Sequence, residues 1–208
     1  MATKDECDFC SQFHSDSLPE SLSKGKSIGL TIAAILGASS LAITAVSIPF
    51  LSPGLRRICL PYVPATDAQV ANVLTVLKGC SGTLIDSGSG DGRIVFAAAR
   101  AGFTAVGVEL NYWLVLYSRI RAATMGLSKT AKFRRNDLLK VDFSKYDNVV
   151  VFGVDCLMPE LEKMFHLHAQ KTRFNVVACR FPLPNTKPMH VVGQGIDMVW
   201  LYHFPVNK

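Results

Sequence analysis

Hydrophobic and polar positions follow two different patterns along this chain. Between residues 28 and 51, 24 consecutive residues carry no charge. From residue 83 onward, short apolar runs alternate with amphipathic stretches. The apolar runs predict strands over 83–86, 105–109, 131–135, 148–154 and 175–180. The stretches between them predict helices over 92–101, 113–125 and 159–169, the second closed by Gly126. A further helix is expected upstream, capped by Thr66 or Asp67 and running through Leu77. Residues 190–204 read as two strands turning near Gly193 and Gly195. Strand–helix alternation ending in a hairpin predicts an α/β fold, a doubly wound sheet with an antiparallel terminal hairpin. The domain is expected to span 60–208.

The uncharged run demands a different explanation. As a helix, 28–51 would extend roughly 36 Å at about 1.5 Å per residue, enough for a hydrocarbon core of about 30 Å. Lys24 and Lys26 flank one end, Arg56 and Arg57 the other. Gly29, Ala33, Ala34, Gly37 and Ala38 make the run only moderately apolar. Pro49 and Pro53 are expected to end the helix. The first 27 residues are acid-rich and contain no Arg, which argues against a cleaved secretory or transit peptide. The expectation is a flexible segment over 1–27 followed by one uncleaved membrane-anchor or targeting helix over 28–51.

Composition narrows the classes. With 208 residues, 49% hydrophobic and 18% charged, the chain can bury one sizeable core and is not disordered throughout. The absence of further long apolar runs excludes a polytopic membrane protein. Residues 1–27 hold three basic and five acidic residues, and 52–208 hold 19 basic and 11 acidic. Residues 52–208 therefore carry +8 of a chain whose net charge is +6, suiting nucleic acid, anionic membrane or an acidic protein alike. Six scattered cysteines imply a reducing compartment rather than a disulfide scaffold. Cys7 and Cys10 share zinc-like spacing, but no second pair completes a site, so no metal is expected.

The chemical signal is the stretch Leu84-Ile85-Asp86-Ser87-Gly88-Ser89-Gly90-Asp91-Gly92-Arg93. A strand ends at an acid, and three alternating glycines lead into a helix, allowing positive φ and close approach to a ligand. Glu109 ends the next predicted strand, where an acid can accept two ribose hydroxyls. Asp137 follows the third. Carboxylates in the turn would repel a pyrophosphate but suit a cationic nucleotide, S-adenosylmethionine, with its sulfonium and ammonium. No G-x-x-x-x-G-K-[ST] motif is present. Capping and turn formation are the competing roles for Asp86 and Asp91.

Several motifs in order resemble one group of enzymes. They are Leu60-Pro61-Tyr62-Val63-Pro64-Ala65-Thr66, Asp86 to Val95, Ala105 to Asn111, Trp113-Leu114-Val115, Val151-Phe152-Gly153-Val154, Arg180-Phe181-Pro182-Leu183-Pro184 and Gly195 to Tyr202. The chain resembles the mitochondrial lysine methyltransferases that modify the ATP synthase c subunit, and their sister that modifies the adenine nucleotide translocase. The resemblance implies a seven-strand, Rossmann-like methyltransferase fold, S-adenosyl-L-methionine as cofactor and a lysine ε-amine as acceptor. It places cofactor positions at Asp86, Gly88, Gly90, Asp91, Gly92, Glu109 and Asp137. It also implies mitochondrial membrane attachment, with the inner membrane expected and the c subunit as protein partner. The chain departs from the family pattern at Tyr112, Asp155, Cys156 and Asn185.

A neutral amine, exclusion of water and in-line positioning are what methyl transfer requires. Free lysine has a pKa of about 10.4, so an apolar, aromatic mouth with nearby cations would favour the neutral amine. Tyr62, Arg180, Phe181, Pro182 and Trp200 are the candidate substrate-binding residues, while Trp113 reads as core. No catalytic residue is assigned. Competing functions are the translocase lysine methyltransferase and a membrane-bound lipid or quinone O-methyltransferase. No nucleic-acid partner is expected, because the Asn/Asp-Pro-Pro-aromatic motif of amino-group methylation is absent. The oligomeric state is not legible.

Overall fold

The computed structural model describes residues 20–51 and 63–205, with side chains in the first helix described from residue 28 to 44. Helix α1 covers Glu20–Leu51. It begins inside the segment expected to be flexible and continues two residues past Pro49. Extending an existing helix costs far less than nucleating one, which favours growth in both directions from the apolar run. Ile28, Leu30, Ile35, Leu36, Leu41 and Ile43 on it are 59–75% exposed. Among the described residues, no helix is long and apolar enough to cross a membrane. The expected membrane-crossing helix is thus not what the described residues show.

The second unit is an α/β sandwich. Helix α2 (Asp67–Val76) precedes β1 (Thr83–Ser87), α3 (Arg93–Arg100), β2 (Thr104–Glu109), α4 (Tyr112–Thr124) and β3 (Ala131–Arg135). Then come β4 (Asn148–Phe152), α5 (Met158–His168), β5 (Phe174–Cys179), β6 (His190–Val192) and β7 (Val199–Phe204). The Thr66 hydroxyl caps α2 by accepting from the Gln69 N–H at 3.0 Å. The seven strands are ordered β3-β2-β1-β4-β5-β7-β6. The first five are parallel, and β7 runs antiparallel to both β5 and β6. The expected sheet and terminal hairpin are both present.

Burial explains why the strands read as continuous apolar runs. Leu84, Val150, Val177 and Leu201 pack on one face against Val73, Phe96 and Val115. Ile85, Val149, Val176 and Tyr202 pack on the other against Met158, Leu161 and Phe165. A sheet covered on both faces has no polar alternation to show. Each fully buried large side chain, such as Phe165, contributes roughly 1.5–3 kcal/mol. Strand β4 stops at Phe152, two residues before its predicted end. Gly153 leaves the ladder where a Cβ would stand only 2.5 Å from the Met158 sulfur, so the chain turns there into α5. The chain order reverses between β1 and β4, and such a switch point opens a crevice at the carboxyl ends of those strands.

Candidate active site

The crevice is floored by the glycine turn after β1. Gly88 and Ser89 donate their N–H groups to the Val108 carbonyl at 2.8 and 3.0 Å. Gly90 donates to Glu109 Oε2 at 3.1 Å. Most of the turn's donors are therefore spent on β2 and its end. The turn is a rigid shelf, not the open set of N–H groups that a phosphate would need. Gly92 adopts φ +84°, and a Cβ there would meet the Phe133 ring at 2.7 Å. Glycine is required at that position on both counts.

Asp86 lies beneath this shelf and is only 2% exposed. Burial, then the charges of Glu109 and Asp91, push its carboxyl up to about 8. Its Oδ1 has no hydrogen-bond partner within the described residues, and neither do the buried hydroxyls of Ser87 and Ser89. Buried polar atoms are nearly always satisfied in native proteins. Three orphans in and before the turn, one a carboxyl raised by burial and by like charges, fit a ligand that brings both a cation and acceptors. S-adenosylmethionine, with its ammonium, sulfonium and carboxylate, matches that donor and acceptor set. Cys179, fully buried at the end of β5, has its thiol pushed well up by burial and by Asp86, so it is no nucleophile.

Glu109 has a double role. Its Oε1 accepts from the Asn111 N–H at 2.8 Å, and Oε2 accepts from Gly90. A carboxylate has about four acceptor sites, leaving two for ribose hydroxyls. Asn111 in turn caps α4 by accepting from the Trp113 N–H at 3.0 Å.

The remaining acids have partners of their own. Asp91 pairs with Arg93 Nε at 3.1 Å, with Arg121 at 4.0 Å. Arg93 also donates to the Ala65 carbonyl at 3.2 Å. Asp91 is thus tied through Arg93 to the lead-in of α2. Asp137 accepts from the Leu139 N–H at 3.1 Å and caps a short 3-10 turn after β3. Asp91 was readable from the sequence as an acid in the turn and Asp137 as an acid after a strand, but their partners were not.

The candidate acceptor residues gather where β5 ends and β7 begins. Arg180 follows β5 with φ +72°, a left-handed conformation rare for a non-glycine residue. Its N–H donates to the Met198 carbonyl at 3.0 Å, and its guanidinium lies over the Phe152 ring at 5.9 Å. Phe181 and Trp200 are both half-buried against the second core cluster, and Pro182 is exposed. Tyr62 lies outside the described residues, as do Cys7 and Cys10.

Three contributors were given no role by the sequence, although Phe152 and Tyr202 stand in the quoted motifs. Phe152 supplies an aromatic face beside Arg180. Tyr202, whose hydroxyl burial pushes up, accepts from the Leu183 N–H at 2.9 Å. Glu162 on α5 is 3% exposed and accepts from Asn185 N, Asn185 Nδ2 and the Thr186 hydroxyl at 3.0, 2.9 and 2.6 Å. Together these bonds pin the loop from 180 to 186. Ser87 and Ser89 stood in the quoted glycine stretch without a role, and only their burial without partners marks them.

Comparison with known proteins agrees with this geometry. Residues 86–190 match the family model of the ANTKMT methyltransferase domain. Residues 25–56 match the model of the N-terminal domain of the ATP synthase c-subunit lysine N-methyltransferases. The chain is 52% identical to the ATP synthase c-subunit lysine N-methyltransferase of Xenopus laevis, over 86% of this chain and 79% of that protein. It is 52% identical to the Homo sapiens protein of the same name, over 84% and 74% of the two chains. The adenine nucleotide translocase lysine N-methyltransferase of Mus musculus is 42% identical over 83% and 77%. Among solved structures, an RNA methyltransferase from Salinibacter ruber bound to S-adenosyl-L-homocysteine superposes with TM-score 0.63 and 27% identity, over 70% of this chain and 96% of that one. With models matched over both parts of the chain and half-identical relatives spanning most of it, the chain belongs to the ATP synthase c-subunit lysine N-methyltransferase family, as an S-adenosylmethionine-dependent protein-lysine N-methyltransferase.

Proposed function

We propose that this protein methylates a lysine of the ATP synthase c subunit at the mitochondrial inner membrane. The observation that carries the reading is the match of residues 25–56 to the N-terminal domain of the c-subunit enzymes, beside 52% identity to them against 42% to the translocase enzyme. The translocase enzyme remains the alternative, because its methyltransferase domain model matches 86–190.

The chemistry follows from the residues present. When bound, S-adenosylmethionine supplies an electrophilic methyl group on a sulfonium. Asp86 would hold the cofactor's cationic end, with Ser87 and Ser89 beside it, and Glu109 would accept the ribose hydroxyls. The Arg180–Pro182 loop borders the acceptor. Phe152, Phe181 and Trp200 shield it from water, and the Arg180 cation disfavours a second positive charge nearby. Both effects lower the pKa of an incoming lysine, favouring the neutral amine needed for displacement. Positioning of that amine against the sulfonium does the rest. Asp155, exposed in the 3-10 turn between β4 and α5, is not assigned as a base.

Membrane attachment belongs to the same reading. The exposed apolar residues of α1 from Ile28 to Ile43 are suited to a lipid or protein surface. A tethered catalyst concentrates its search in the layer beside the bilayer, where a c-subunit lysine is found. The test is intact-mass measurement of the c subunit from cells with and without this protein. A loss of one or more methyl masses is expected. Unchanged mass of the c subunit, with loss of methyl-lysine on the translocase, would replace this reading by the alternative.

A further inference from the structure

One side of the catalytic unit has no chemistry assigned to it. From Leu110 to Asn136 the chain carries six basic residues and no acid. These 27 residues, α4 and β3 with their connections, hold as much positive charge as the net charge of the whole chain. β3 is the outer strand of the sheet. Arg119 on α4 reaches over that edge and donates from Nε and Nη2 to the Phe133 carbonyl, at 3.1 and 2.9 Å. A shallow cleft lies there, lined by Arg119, Ser128, Lys132 and Arg134 among others. Lys129, Lys132, Arg134 and Arg135 are all exposed.

Charges on an edge strand protect it against pairing with other strands, and the Arg119 bond serves that end. Edge protection leaves the neighbouring apolar residues unexplained. Leu110, Tyr112, Tyr117 and Ile120 are 41%, 48%, 50% and 57% exposed. Arg135 Nε donates to the Leu110 carbonyl at 3.3 Å, which places a cation directly beside the first of them. Arg119 and Arg135 lie on the α4 side of the sheet edge with these residues, while Lys132 and Arg134, alternating with the buried Ala131 and Phe133, flank the same edge from the other side.

We infer that the α4–β3 face docks on an anionic phospholipid surface. Lysine and arginine near such a surface gain attraction from its negative potential. Tyrosines suit the headgroup level, and aliphatic side chains bury at the acyl boundary. A nucleic acid would reward the cations and the tyrosines but not exposed Ile120 and Leu110. The inference rests on the membrane-protein acceptor proposed above, and it assigns the face by which the catalytic unit meets the membrane independently of α1.

The experiment is vesicle co-sedimentation of the full-length chain at about 0.15 M salt, where the Debye length is about 8 Å. Vesicles of phosphatidylcholine alone are compared with vesicles containing one-third cardiolipin. The wild type and the K132E/R134E double variant are compared with K171E, an exposed control distant in sequence. The wild type and K171E should favour cardiolipin vesicles, and K132E/R134E should lose that preference by roughly tenfold or more. I120S should weaken binding to the same vesicles several-fold without altering its salt dependence. Equal cardiolipin preference in K132E/R134E and wild type overturns the inference. So does binding of a structured RNA that is lost in K132E/R134E while vesicle binding is not. Methylation of the detergent-solubilised c subunit separates the two proposals. It should be equal in wild type and K132E/R134E if the docking face is right, and absent in both if the acceptor reading fails.

Discussion

At the residue scale, the site depends on two unfavourable features held in place by the fold. The first is Asp86. Its folded pKa of about 8 stands above the ordinary carboxylate value of 3.8. The folded chain therefore holds this proton more tightly than the unfolded chain does. The associated stability is fully present below about pH 4 and is lost as pH rises toward 8. Asp86→Asn should flatten that slope in thermal melts of the cofactor-free protein between pH 5 and 8, while abolishing cofactor binding. An unchanged slope would mean that Asp86 ionises freely in the folded state. Because a cationic ligand favours the carboxylate, cofactor affinity should rise with pH up to about 8, by up to about tenfold per unit. Calorimetric titration at pH 6, 7 and 8 measures it, and a flat profile counts against the pairing. The second feature is Arg180 at φ +72°. A non-glycine residue held there costs on the order of 1 kcal/mol. Arg180→Gly should raise the melting temperature by about 2–4 °C and lower methylation, the opposite signs expected where strain serves a site.

At the element scale, the turn and the acceptor loop are each fixed from behind. The glycine turn is held by β2, through Val108 and Glu109. Gly92→Ala should cost roughly 1–2 kcal/mol from backbone conformation alone, with the Phe133 contact added, and should weaken cofactor binding at least tenfold. Preserved affinity would show that the turn tolerates displacement. The acceptor loop is held by α5, through Glu162. Glu162→Ala removes the acceptor of three donors, two of the exposed Asn185 and one of the buried Thr186, and should destabilise by about 1–3 kcal/mol. Its methylation rate should fall while cofactor affinity stays near wild type, because the cofactor turn lies on the other side of the switch point. Equal losses in both would assign Glu162 to general stability.

At the scale of the whole molecule, α1 and the catalytic unit are separate compact units, dividing at Ile48 and Pro49. Deleting residues 28–51 should release the protein from mitochondrial membranes under carbonate extraction while preserving cofactor affinity in detergent. A full-length chain that washes off as readily as the deletion would assign α1 to targeting or to a protein partner. The two routes to the membrane then separate cleanly. On the proposed reading, loss of α1 should remove attachment that survives high salt, whereas loss of the α4–β3 charges should remove only a salt-sensitive part.

The order of elements, the glycine turn and the family were all contained in the sequence, because each depends on local chemistry. Strands buried on both faces read as apolar runs. Gly88, Gly90 and Gly92 announce backbone conformations that other residues resist. Asp86 and Glu109 mark strand ends. Tertiary structure alone decided how those groups are spent. Asp91 was legible as an acid in the turn, but only the fold showed it facing Arg93 and Arg121. The turn's N–H groups were legible as donors, but β2 takes them. Glu162 stands on an ordinary amphipathic helix, and its role depends on a loop 23 residues away in sequence. The left-handed Arg180 follows the last β5–β7 pair and donates to Met198, a conformation that no residue near it announces. Partners distant along the chain are chosen by packing, and the pattern of hydrophobic and polar positions records burial without recording which groups meet.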